Sequence, residues 1–126
     1  MWELLNSKIL VLSRPKFGGF AQHIGVQLPD GRVAHCVPGH GVVVTAVEQY
    51  AGGEDVTIVR EVPLERNWEV MERLFKALAE RRPYHPVSWN CEAFANWLVG
   101  EKPESAQANG WIAVALLAAL AKIASS

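Results

Sequence analysis

Cysteine is scarce in this chain: Cys36 and Cys91 are its only two, far apart and in dissimilar contexts. A small disulfide-held secreted scaffold carries more, and a zinc site needs more ligands at close spacing. Both therefore read as reduced thiols, with no metal or cofactor expected. Charge of one sign is also missing as a block: acidic and basic residues interleave, and the formal net charge is −1. Without a basic stripe, RNA or DNA is not an expected partner. The first twelve residues include Glu3 and Lys8, and the apolar run 9–12 is too short for the hydrophobic region of a secretory signal. The expectation is a cytoplasmic protein. Internal repeats are absent.

What is present suits one compact domain, since 126 residues that are 50% hydrophobic, with five Trp, can bury a core. Residues 9–12 read as a short strand closed by Ser13, Arg14 and Pro15, and 16–20 as a loop. Residues 22–28 and 32–37 flank Pro29-Asp30-Gly31, a hairpin signal in which Gly supplies a positive φ. Residues 42–44 and 56–62 are β-branched runs, separated by a polar stretch at 48–55. After Pro63 the period changes: Trp68, Met71, Leu74, Phe75 and Leu78 recur at helical steps and mark one apolar face. Residues 84–89 are extended by two prolines. A second helix is capped by Asn90 and closes near Gly100, with Phe94, Trp97 and Leu98 as its apolar face. Strands first and helices later predict an α+β domain.

Residues 101–109 read as a polar linker, and 110–121 carry no charge. A helix over 111–124, at about 1.5 Å per residue, would cross only about two-thirds of a ~30 Å hydrocarbon core. The segment could be buried, shared between subunits of a homo-oligomer, or laid in a membrane surface. Its alanine content favours packing. The division expected is 1–107 as the main domain and 108–126 as an apolar C-terminal helix.

The chemistry starts at Cys91. As the first residue after an Asn cap it sits beside unpaired backbone N–H groups and the positive end of the helix dipole, and both favour a thiolate. The same N–H groups could donate to an oxyanion. A base comes from the hairpin. A three-residue turn pairs Leu28 with Arg32 and sets Gly25 opposite His35, making His23 the diagonal neighbour of His35 on one face. Ile24, Val26 and Leu28 then share the other face with Cys36 and Ala34, which makes Cys36 a core thiol, and Gly25 leaves space beside His35 for a second ring or a substrate. In that geometry His23 takes the proton of Cys91 and His35 orients His23. His40, between two glycines, reads as solvent-facing, and His85 as structural.

The segment His23-Ile24-Gly25-Val26-Gln27-Leu28-Pro29-Asp30-Gly31-Arg32-Val33-Ala34-His35, followed by Val37-Pro38, resembles the His block of the lecithin retinol acyltransferase family. Asn90-Cys91-Glu92-Ala93-Phe94 resembles that family's Asn-Cys-Glu-His-Phe signature, and Tyr84 stands seven residues before the Cys, as is usual there. Arg14-Pro15 and the strand around 56–60 agree more weakly. The likeness spans roughly residues 8 to 107. It implies a permuted papain-like fold related to NlpC-like peptidases, with an antiparallel sheet carrying two His against a helix headed by Cys. It further implies an acyl-thioester on Cys91 drawn from a phospholipid ester, with His23 as base and His35 as third member. Asn90, Gly25 and Tyr84 would surround substrate and oxyanion. Two departures from the family pattern, Ala93 and Ile24, bear on the acyl-donor pocket. The readings left open are an acyltransferase or phospholipase A-type hydrolase, a peptidase or amidase of the same superfamily, and a non-catalytic oligomeric interaction module. The family also contains C-terminal membrane anchors, a placement the tail shares.

Overall fold

In the computed structural model, residues 6–103 and 105–125 are described, so the first five residues of the opening segment lie outside the description. Strand β1 (Ile9–Lys16) is followed by a single 3₁₀ turn, then by β2 (Ala21–Gln27), β3 (Val33–Val37) and β4 (Gly41–Thr45). A short helix α1 (Val47–Ala51) leads to β5 (Thr57–Val62), and α2 (Asn67–Glu80), α3 (Cys91–Leu98) and α4 (Ala106–Ser125) complete the order. The strands form one antiparallel sheet in the order β4-β3-β2-β1-β5, and the domain is α+β.

The hairpin adopts the register expected from its turn. Val26 pairs with Ala34 and Gln27 with Val33, and the Leu28 N–H donates to the Arg32 carbonyl at 2.8 Å. Gly31 has φ +92°, and the Asp30 side chain accepts from the Arg32 N–H, so the turn chemistry sets the pairing. Alternation along the strands then divides the sheet into two faces. One face (Ile9, Val11, Val26, Leu28, Ala34, Cys36) packs against Val70, Leu74 and Ala77 of α2 and Phe94, Ala95 and Leu98 of α3. The other carries a smaller cluster of Leu12, Val33 and Tyr50.

Several boundaries differ from the sequence expectations. Strand β1 does not close at Ser13: Arg14 pairs with His23, Pro15 with Gln22 and Lys16 with Ala21. Pairing with β5 ends at Ser13, so Pro15 occupies a stretch where a missing N–H costs no ladder bond. The polar stretch after β4 contains α1, whose Tyr50 is fully buried. Helix α2 is rotated from the face its strongest hydrophobes suggested. Asn67, Val70, Leu74 and Ala77 are buried, whereas Trp68 and Phe75 are exposed and Leu78 lies at the margin. Asn67 Nδ2 donates to the Ser7 carbonyl at 2.8 Å, and Arg73 to the Trp97 carbonyl at 3.2 Å, which hold that rotation.

The C-terminal segment is corrected most. Helix α4 starts at Ala106, inside the expected linker, and its 20 residues extend about 30 Å at ~1.5 Å each. From Asn109 to Ile123 its side chains are exposed, so packing within this chain is not its role. It is the one described helix long and apolar enough to cross a membrane.

Candidate functional site

Asn90 has an extended backbone and its Oδ1 accepts from the Ala93 N–H at 2.9 Å, so α3 begins at Cys91 as expected. Asn90 Nδ2 donates to the Pro86 carbonyl at 2.9 Å. The Asn90 side chain thus works as a cap and loop tie, and Asn90 lines the same cleft as Cys91. With Ala93 capped, the N–H groups of Cys91 and Glu92 have no partner among the described residues. These are the donors available to an oxyanion at the thiol.

The two histidines come together. Both are buried, and His23 Nε2 lies 2.8 Å from His35 Nδ1, with ring centroids 5.0 Å apart. His35 Nε2 lies 2.9 Å from Thr45 Oγ1 on β4. One tautomer satisfies the chain while leaving His23 Nδ1 as an acceptor: His23 Nε2–H donates to His35, and His35 Nε2–H donates to Thr45. Burial, and then the neighbouring His35, Arg14 and Lys16, lower His23 to about 3. Burial and then Arg14 lower His35 to about 4. Both rings are neutral at neutral pH, the state in which a base can accept a proton.

Gly25 does not leave a void for substrate. A Cβ there would lie 2.6 Å from Tyr50 Cε1 and 2.7 Å from Val33 Cγ1. The ring of Tyr50 fills that space, stacks on His23 with centroids 5.4 Å apart, and its hydroxyl donates to the His23 carbonyl at 2.5 Å. Tyr50 escaped the sequence reading because it lies in a glycine-bearing stretch with no strand or long-helix period. Thr45, at the end of a β-branched run, gave no polar motif either.

Cys91 is only 2% exposed, yet it forms part of a cleft wall. The polar neighbours of its sulfur are the Gln22 carbonyl, to which the thiol donates at 3.7 Å, and the Lys16 ammonium, also at 3.7 Å. No hydrogen bond joins Cys91 to His23 among the described residues. The reason lies in the faces: α3 packs on the apolar side of the sheet, and the imidazoles project from the other. The two groups line adjoining clefts. That of Cys91, about 240 Å³, is walled by Phe20, Pro86, Ala108 and Trp111 among others. That of His23 and His35, about 610 Å³, includes Arg14, His40 and Thr45. Lys16, Phe17 and Tyr84 border both. Tyr84, expected near substrate, borders both clefts.

No family model, curated protein or solved structure matches this chain.

The remaining candidates follow expectation. Cys36 is fully buried, donates to the Trp89 carbonyl at 3.4 Å, and is pushed up to about 11 by burial first and then by the charge of a Cys91 thiolate. His85 Nδ1 accepts from the Val87 and Ser88 N–H groups at 3.1 Å each, a structural turn. His40 is exposed. Gln107 of α4 was missed. Its Oε1 accepts from the Gln22 N–H at 2.7 Å and its Nε2 donates to the Gln22 carbonyl at 3.1 Å. That amide ties the root of α4 to the same carbonyl that receives the Cys91 thiol.

Proposed function

We propose that the protein is a thiol acyltransferase or phospholipase A-type acyl hydrolase that forms an acyl-thioester on Cys91 from a phospholipid ester. The reading carries with it the permuted papain-like arrangement and kinship with the lecithin retinol acyltransferase family. The observation that supports it most is the buried His23–His35 pair, hydrogen-bonded in line at 2.8 Å and bordering the cleft of a thiol at a helix head. In this scheme His23 Nδ1 accepts the Cys91 proton, and His35 and Thr45 hold the His23 tautomer. The N–H groups of Cys91 and Glu92 receive the oxyanion. In the same scheme the thiol leaves the Gln22 carbonyl and turns past the start of β2, where Lys16, Phe17 and Tyr84 border both clefts, to reach His23.

Phe17, Phe20, Pro86, Ala108 and Trp111 give the thiol cleft an apolar wall, which suits an acyl chain better than a peptide. Helix α4 supports membrane association of the enzyme, since its stretch Ala106–Ile123 is long and apolar enough by length and composition to cross a membrane. The decisive experiment mixes the protein with phosphatidylcholine vesicles and follows its mass. A fatty-acyl increment on Cys91 is expected. If none appears under trapping conditions, the lipid-ester reading falls.

A further inference from the structure

We propose that the cleft walled by Arg14, Lys16 and His23 receives an anionic leaving group, so that the preferred substrates are acyl esters whose alcohol part carries a phosphate or carboxylate. This rests on the thiol-ester reading above and names its substrate class.

Acyl transfer assigns the two clefts. The thiolate of Cys91 forms a bond to the carbonyl carbon, and the carbon–oxygen bond to the alcohol then breaks. The departing oxygen takes its proton from His23, which had received it from the thiol. The alcohol must therefore leave on the side of the imidazoles, and the acyl chain lies in the apolar cleft of Cys91.

The alcohol side is cationic. Arg14 is the direct cross-strand partner of His23, and Lys16 lies two residues along β1 on the same face. Arg14 Nε and Nη1 donate to the Tyr50 and Pro15 carbonyls at 2.6 and 3.1 Å, which orient the guanidinium but leave its charge uncompensated. Neither cation pairs with a carboxylate among the described residues, and no Asp or Glu lines this cleft. Gln49 and Thr45 add polar groups to the wall.

Two cations without a carboxylate partner, Lys16 lying also 3.7 Å from the Cys91 sulfur, work against a base beside them, because they disfavour the imidazolium that proton transfer creates. An anion bound between them removes that penalty. The base is then strongest when the correct leaving group is in place, and a guanidinium with a lysine is suited to phosphate or carboxylate oxygens. An uncharged alcohol would gain nothing from the arrangement.

The test uses the full chain and monomeric esters that share one acyl chain: acyl glycerol phosphate, an acyl ester of a hydroxycarboxylate, and uncharged monoacylglycerol. Thioester formation on Cys91 is timed by mass spectrometry. The phosphate or carboxylate ester is expected to react about ten-fold faster or more than the neutral one, the scale of one charge-assisted contact. The two anionic arms tell which oxyanion fits. Arg14→Gln should bring the anionic-to-neutral ratio towards one, and Arg14→Lys should restore part of it. Equal rates for all esters in the unaltered protein would overturn the proposal. A second arm needs no turnover: glycerol 3-phosphate should shift the ring signals of His23 and His35 in NMR, and glycerol should not. Should no ester acylate Cys91 while glycerol 3-phosphate still shifts those rings, the anion seat stands and the thiol-ester reading fails. Silence of the rings up to high millimolar ligand sinks the anion seat itself.

Discussion

Tyr50 stands on Gly25: the ring of one occupies the volume that a side chain on the other would need, with a Cβ only 2.6 Å from Tyr50 Cε1. The same ring stacks on His23, and its hydroxyl holds the His23 carbonyl. One aromatic residue from a five-residue helix thus roofs the imidazole pair and removes water from it, which is why both rings are held so far below their ordinary range.

Gly25→Ala should therefore destabilise the fold by about 1–3 kcal/mol, the usual cost of overpacking. It should also lower acylation by displacing Tyr50 from His23. Denaturant melts measure the first effect. Tyr50→Phe removes only the hydroxyl and should cost roughly 1 kcal/mol while keeping the ring over Gly25. If Gly25→Ala melts like the unaltered protein, the steric account of this position is wrong.

The two thiols should separate cleanly. Cys91→Ala is expected to abolish thioester formation with little change in stability, whereas Cys36→Ala keeps activity and costs about 1 kcal/mol from the core. Iodoacetamide should label Cys91 before Cys36, because burial pushes Cys36 up to about 11. Equal loss of activity in both variants would contradict the assignment. Among the imidazoles, His35→Ala should retain more activity than His23→Ala, since one orients and the other accepts the proton.

Acid should weaken the fold through the same pair. Unfolded His titrates near 6.5, and the folded rings near 3 and 4, so between those limits the unfolded chain binds more protons. Stability is complete above about pH 6.5 and declines as pH falls towards 4. The slope approaches at most about 1.4 kcal/mol per pH unit for each ring. Urea melts from pH 7 to 4.5 measure it, and His35→Gln should reduce the slope by up to half. A flat profile would mean that the rings are not held neutral.

Asn90→Ala removes the cap of α3 and its tie to Pro86. A loss of about 1 kcal/mol is expected, with reduced reactivity of Cys91 towards iodoacetamide as the helix start frays. Asn90→Asp retains the acceptor for the Ala93 N–H and should recover most of the stability.

Removal of residues 110–126 should leave the domain folded, with an unchanged melting midpoint, because the side chains of 110–123 are exposed. Sedimentation with vesicles should be lost. Gln107 remains in that truncation and keeps its hold on Gln22. A truncated protein that melts early would instead mean that α4 packs on a partner or a second copy.

Local chemistry was legible from the chain. Pro29-Asp30-Gly31 dictates a three-residue turn, the turn dictates the register, and the register puts His23 and His35 on one face and Cys36 on the other. Asn90 dictates where α3 starts, because only a side-chain acceptor at that point satisfies the first turn. What period and spacing could not reveal were choices between elements remote in sequence. The rotation of α2 is one: the expected stripe (Trp68, Met71, Leu74, Phe75, Leu78) and the buried one (Val70, Leu74, Ala77) share Leu74 but are turned from each other around the helix. Hydrogen bonds from Asn67 and Arg73 to distant carbonyls select the second.

The residues themselves determined the α+β order, the hairpin register, the shared face of the two imidazoles and the helix head that carries the thiol, since each is settled within a few positions by backbone geometry. Only the tertiary structure decided that Tyr50 roofs the pair, that Arg14 and Lys16 crowd its cleft, that the thiol rests on Gln22 rather than His23, and that α4 projects unburied. Those outcomes depend on how separate segments fill one another's space, and volume shared across a fold leaves no periodic trace along a chain.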